Sequence, residues 1–222
     1  MRFAQEGADI VAIDFADSID SVAYPLATEE DLRESVRLVE DTGRRALAIT
    51  ADVRDRTAVE KAVAAALEAF GRIDILSANA GILSYAPAAD VSPEHWDDTI
   101  AVNLSGVWHI VRAVIPTMVA AKSGVIVLTS SLVGIRPVAN ALPYVAAKSG
   151  LVGMTKALAI ELGPHNIRVN SVHPTTVCTD MVLNEPPTGC FGPTWRTPPA
   201  RTAKQHSPAC RSCPFRGSSP VT

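Results

Sequence analysis

The 222-residue chain lacks any apolar run approaching a membrane span, which takes about 20 consecutive residues. Its opening, Met1-Arg-Phe-Ala-Gln-Glu-Gly, has no signal-peptide core, so a cytoplasmic setting is the expectation. An excess of positive charge is also lacking: the net charge of −3 argues against a nucleic-acid footprint. That figure averages two unlike parts. After Glu185 there is no Asp or Glu, while Arg196, Arg201, Lys204, Arg211 and Arg216 give that segment +5, leaving −8 for the residues before it. Half of the prolines and three of the four cysteines, Cys190, Cys210 and Cys213, also fall after Glu185. Such a segment has too few periodic apolar residues to bury a core, and residues 186–222 are expected to be a disordered basic tail behind a domain of residues 1–185. Cys210 and Cys213 with His206 have the look of a metal knuckle, but a structural zinc site needs four ligands and no second pair is there, so no metal is expected.

With 47% hydrophobic residues, the chain is long enough for one α/β domain with a sizeable core. Short β-branched runs at 9–14, 45–51, 73–78, 125–129 and 168–172 alternate with longer helical patterns, as in a parallel sheet covered on both faces. Helices are expected over 28–42 and 56–70, each followed by a glycine suited to a left-handed helix end, Gly43 and Gly71. Another starts at the N-cap Ser92 and Pro93, runs to about Ala121 and carries an expected kink near Pro116. The last covers 143–162. This is a doubly wound, Rossmann-like pattern.

Chemistry concentrates in Ser131, Tyr144 and Lys148. A phenol holds its proton to about pH 10 and becomes an acid or base near neutrality only where a positive charge stabilises its phenolate. Tyr144 and Lys148, four residues apart, share a helix face, and Ser131 arrives from the end of an apolar run to hold a substrate oxygen beside the phenol. The three suit acid-base work on an alcohol or carbonyl. Alone, the Tyr/Lys spacing also fits a solvated helix face. Its company includes Asp14 closing a strand, Asp52-Val53, Asn79-Ala80-Gly81, Asn103 within Val102-Asn-Leu-Ser-Gly106, and Pro174 with Thr179. In that order, from Met1 to about Leu183, these residues resemble the short-chain dehydrogenase/reductase family, whose members move a hydride between a nicotinamide cofactor and an alcohol or ketone.

The resemblance implies roles. Tyr144 is the general acid/base, and Lys148 lowers its pKa and holds a nicotinamide-ribose hydroxyl. Ser131 orients the substrate oxygen, with Ser130 as the second choice and a backbone-bonded strand-end serine as the bland alternative. Asn103 holds a water linking Lys148 to solvent, or satisfies backbone groups at a helix kink; the two are compatible. Asp14 accepts from the adenosine-ribose hydroxyls and repels a 2′-phosphate, favouring NAD over NADP, unless it is an ordinary turn residue. Asp52 and Val53 meet adenine, Asn79, Ala80 and Gly81 form the turn after a strand, and Val177 and Thr179 meet the carboxamide and phosphates. Asn79 stabilises the sheet more than it touches cofactor, and Thr175 stands where the family has glycine. His95, His109, His165 and His173 show no ligand spacing, and Trp96 and Trp108 read as packing. Gly150, Gly153 and Ala157 would let the catalytic helix approach a neighbour closely, in this family a second subunit, so a homo-oligomer is implied. The stretch 16–28 after Asp14 is long and resembles the carveol-dehydrogenase-like, mycofactocin-coupled subgroup, whose NAD stays bound and whose substrate is a hydrophobic secondary alcohol or ketone.

Both ends depart from the family. No Gly-x-x-x-Gly-x-Gly occurs, although the family uses that turn to receive the pyrophosphate, and after the Pro174 to Thr179 segment the expected last strand is replaced by the basic tail. The sheet is therefore expected to be incomplete, missing its first strand and its last, with a gap between the strands at 9–14 and 73–78. Two functions remain open: an NAD-dependent alcohol/ketone oxidoreductase, and a catalytically inactive truncated remnant of one.

Overall fold

The computed structural model describes residues 1–177 and 179–183; Cys190, His206, Cys210, Cys213 and the expected tail lie outside the described residues. After a short helix α1 (Arg2–Gln5), strands β1 (Ile10–Asp14), β2 (Ala46–Thr50), β3 (Ile75–Ala78), β4 (Gly124–Thr129) and β5 (Ile167–Val172) alternate with helices, as the apolar runs require. Strand β1 pairs with β2, and β3, β4 and β5 pair in that order, every pair parallel. The two sheets are not hydrogen-bonded to each other, so the doubly wound pattern is interrupted between β1 and β3, where the gap was expected.

Helix α2 (Glu29–Glu40) starts at a capping box: Thr28 Oγ1 accepts from the Asp31 N–H at 3.3 Å, and Asp31 Oδ2 accepts from the Thr28 N–H at 2.8 Å. Helix α3 (Arg56–Phe70) is capped by Asp55 and ends at Gly71, whose φ of 75° is the left-handed conformation that glycine tolerates best. Helix α4 (Pro93–Ile100) is capped by Ser92 and runs through a π-helical segment at Ala101–Gly106 into α5 (Val107–Ala121). The departure from α-helical bonding thus falls around Asn103, and α5 continues through Pro116. By length and composition the helical span Pro93–Ala121 could cross a membrane, contrary to the expectation that no run reaches that length. Here Val107, Val111, Val114 and Met118 are buried in the protein core.

That core gathers Val59 and Val63 of α3, the buried face of α5, Ile126 and Leu128 of the central strand β4, Ile167 and Val169 of β5, and Leu151 and Leu162 of α6 (Leu142–Leu162). Ile13 of β1 packs against the same cluster, which keeps the two-stranded sheet attached through side chains where backbone bonds are missing. The last described element is α7 (Asp180–Leu183). The sequence-expected oligomer stripe divides: a Cβ on Gly150 would stand 3.0 Å from Leu104 Cδ1 of the same chain, so its smallness serves internal packing, whereas nothing lies within 4 Å of Gly153.

Candidate active site

Every candidate residue lies at or just beyond the carboxyl end of a parallel strand, or on the helix that follows, where open α/β sheets bind ligands. Helix α6 begins with Leu142 and Pro143, so Tyr144 and Lys148 sit on its first turns and point the same way; they are 9% and 2% exposed. Ser131 follows β4, where its Oγ accepts from the Val133 N–H at 3.4 Å, and its hydroxyl acts on the Tyr144 phenol. Burial pushes the Tyr144 pKa above its ordinary value, and the Ser131 hydroxyl pulls it partly back. Lys148 Nζ donates to Thr129 O at 2.8 Å and lies 5.5 Å from the centre of the Tyr144 ring. Burial pulls the Lys148 pKa down to about 8.

The expected lowering of the phenol by Lys148 therefore does not appear in this state; the phenol is raised. The reason is that both groups are desolvated, and a low-dielectric setting disfavours phenolate and ammonium alike.

The two neighbouring serines divide by their partners. Ser130 is 2% exposed and donates to Lys148 O at 2.8 Å, tying β4 to α6, while Ser131 faces the phenol. His173, in which the sequence showed no ligand spacing, meets Ser131: Nδ1 lies 3.1 Å from Ser131 O and Nε2 lies 3.0 Å from Ser171 Oγ. Its position just before Pro174, whose carbonyl accepts from the Leu132 N–H at 2.9 Å, was the available signal. Asn103 is fully buried in the π-helical segment. Its Nδ2 donates to Ile82 O and Thr99 O, both at 2.9 Å, and its Oδ1 accepts from the Ile82 N–H at 3.2 Å. These are the bonds of the backbone-satisfying alternative, and they pin the chain just after β3. A Cβ on Gly81 would come within 2.8 Å of Asn103 Oδ1 and 3.3 Å of Lys148 Nζ, so glycine is what lets that turn approach the pair.

On the opposite side, Asp14 is exposed at the end of β1, where its Oδ1 accepts from the Ala16 N–H at 2.8 Å. Asp52 is held by Arg54, whose backbone N–H and Nε both donate to it at 2.8 Å, and Arg54 reaches on to Asp98 at 2.7 Å. That network was not legible in the Asp52-Val53 motif. Val53 packs against the cluster of Ile19, Ile82 and Val102, and its carbonyl lies 2.8 Å from His109 Nδ1. Asn79 and Ala80 are exposed at the end of β3; Val177 and Thr179 are exposed beyond β5. The structure thus brings Ser131, Tyr144, Lys148, Asn103 and Gly81 together. Asp14 and Asp52 stand with the other sheet.

Leu83 and Ala141 share a buried cluster with Tyr144, and Tyr85, Val133, Val145 and Met181 pack against it, giving the phenol an apolar surround.

Residues 2–188 match the short chain dehydrogenase family. The chain is 42% identical over 200 residues to (−)-trans-carveol dehydrogenase of Rhodococcus erythropolis, covering 89% of this chain and 72% of that one. It is 46% identical over 187 residues to an uncharacterized NAD-dependent oxidoreductase of Mycobacterium tuberculosis, covering 83% and 68%. The crystal structure of carveol dehydrogenase from Mycobacterium avium in complex with NAD superposes with a TM-score of 0.81 at 47% identity, covering 82% of this chain and 67% of that one. A match that runs through all five strands at such identity means that the chain belongs to the short chain dehydrogenase family of oxidoreductase enzymes.

Proposed function

We propose that the chain is an NAD-dependent oxidoreductase interconverting a hydrophobic secondary alcohol and its ketone. The observation that carries this reading is the buried Tyr144 phenol with Lys148 Nζ 5.5 Å from the centre of its ring and the Ser131 hydroxyl favouring its ionised form. Ser131 holds the substrate oxygen next to the phenol, and Tyr144 takes the hydroxyl proton during oxidation or returns it during reduction. Lys148 supplies positive charge to the developing phenolate, and Asn103 keeps the neighbouring turn in place. The apolar residues around the phenol suit the body of a cyclic or branched alcohol such as the one named for the Rhodococcus relative.

The donor set fits NAD at its two ends. Asp14, Asp52 and Val53 would hold the adenosine end, with the Asp14 carboxylate opposing a 2′-phosphate; Lys148, Tyr144, Asn79, Ala80, Gly81, Val177 and Thr179 would hold the nicotinamide end. When bound, the cofactor supplies the hydride acceptor and donor. The relatives with NAD in their names support the same choice. A homo-oligomer through α6 has support from the exposed face carrying Gly153, Ala157 and Ile160, the last 80% exposed.

A second reading, a chain that keeps the site but does not turn over, is favoured by the break between β1 and β3 and by the lack, among the described residues, of a glycine-rich turn for the diphosphate. Formation of NADH on adding a panel of secondary alcohols, with NAD binding followed by calorimetry, separates the two. Tight NAD binding with turnover supports the first; no turnover and weak binding supports the second.

A further inference from the structure

The segment between β1 and α2, residues 15–28, reaches across the break between the two sheets. Its Ile19 is buried with Ile82 and Val102, and Phe15, Val22 and Leu26 pack on that cluster. Three hydrogen bonds extend from it to elements beyond the break. Ser21 Oγ donates to Asp98 Oδ2 of α4 at 2.7 Å, Ser84 Oγ donates to Ser21 O at 3.1 Å, and the Leu83 N–H donates to Tyr24 Oη at 3.0 Å.

The third bond bears on the site. Tyr24 is 7% exposed, so its hydroxyl has left water to meet a backbone N–H that would otherwise be buried without a partner. Leu83 in turn shares a buried cluster with Tyr144 and Ala141. Burial raises the Tyr24 pKa, the bond from the Leu83 N–H pulls it partly back, and the charge of an ionised Tyr144 adds to the rise. Consecutive residues after β3 are thus each held from elsewhere: Ile82 by Asn103, Leu83 by Tyr24, and Ser84 by Ser21.

We propose that Tyr24 is a positioning residue for the Tyr144 site, its hydroxyl fixing the Leu83 peptide and so the apolar wall against which the Tyr144 ring and the substrate are set. Its effect on turnover rests on the oxidoreductase reading, whereas its effect on Leu83 and on the Tyr144 ring does not.

The test is Tyr24→Phe in the full-length chain, which keeps the ring and removes the hydroxyl. The chain has three tyrosines, so isotopically labelled tyrosine gives three ring signals in NMR, assigned by single Phe variants. In Tyr24→Phe, exchange of the Leu83 amide is expected to speed up roughly five- to tenfold, the size of one lost hydrogen bond, and the Tyr144 signal to move. Where turnover of a secondary alcohol is measured, kcat falls while KM for NAD holds. An unchanged Tyr144 signal or an unchanged Leu83 exchange rate overturns the proposal whether or not the chain turns over alcohol. So does Ser84→Ala moving the Tyr144 signal as far as Tyr24→Phe, because loosening of the segment would then suffice. Should Tyr24→Phe fail to fold, hydrogen exchange in the parent chain serves: the Leu83 amide, held by Tyr24 Oη at 3.0 Å, is expected to exchange slowly, and free exchange at Leu83 overturns the proposal.

Discussion

Lys148 Nζ stands 5.5 Å from the centre of the Tyr144 ring while its hydrogen bond goes to Thr129 O, at 2.8 Å. The ammonium is therefore anchored by β4 and faces the phenol through space. Charge on one group is of use to the other only while both are enclosed, and enclosure also raises the cost of ionising either.

Tyr144→Phe should lower turnover by about 10²-fold or more, the scale of a lost general acid/base, with NAD binding little changed. Steady-state rates on a secondary alcohol and calorimetric titration with NAD check both halves. Near-normal turnover in the variant would remove Tyr144 from the mechanism.

The neighbouring serines should separate cleanly. Ser131→Ala should reduce kcat with little loss of stability, because its hydroxyl faces the phenol at a partly exposed position. Ser130→Ala should cost about 1–2 kcal/mol of stability, since it removes the buried bond from the Ser130 hydroxyl to the Lys148 carbonyl that ties β4 to α6. Urea unfolding and kinetics on the two variants give the comparison, and reversed phenotypes would contradict it.

Stability should rise with pH on the alkaline side. The folded-state pKa of Lys148, about 8, lies below its ordinary value of 10.5, so between these values the unfolded chain binds more protons than the folded one. The gain builds from about pH 8 toward 10.5 and disappears as pH falls back through 8. Tyr144 and Tyr24, both shifted upward from 10.0, act in the opposite sense from about pH 10, where stability is lost. Urea midpoints measured across this range should climb in the parent and stay flatter in Lys148→Met. A parent profile that falls from pH 8 to 10 would contradict the assignment.

Cofactor preference should follow Asp14. Its carboxylate is exposed at the end of β1, and under the proposed placement of the adenosine ribose it would oppose a 2′-phosphate, so NAD should bind more tightly than NADP and Asp14→Ala should narrow the difference. Competitive binding measurements decide this, and tighter NADP binding by the parent chain would sink it.

Gly81→Ala should destabilise the chain by about 1–3 kcal/mol, the usual cost of overpacking. The new methyl would sit 2.8 Å from Oδ1 of the Asn103 side chain, an amide that three hydrogen bonds hold in place, and 3.3 Å from Lys148 Nζ. A shift in thermal midpoint and, in the active protein, a changed pH profile are the readouts.

The order of strands and helices was written in the chain itself, because period-2 and period-3.6 patterning and the caps at Thr28, Asp55 and Ser92 are local properties of sequence. The pairing of Tyr144 with Lys148 was legible for the same reason: four residues on a helix is a fixed geometry. Tertiary structure decided the rest. Which serine faces the phenol depends on how β4 meets α6, and the role of His173 depends on where β5 ends beside Ser131. The raised phenol and lowered lysine depend on burial, a sum over neighbours distant in sequence. Tyr24 meets Leu83 across 59 residues, and no local pattern encodes that distance. Residue types and spacing pointed to the chemistry proposed, while desolvation and long-range hydrogen bonds, which exist only once the chain is packed, set the charge and partner of each group.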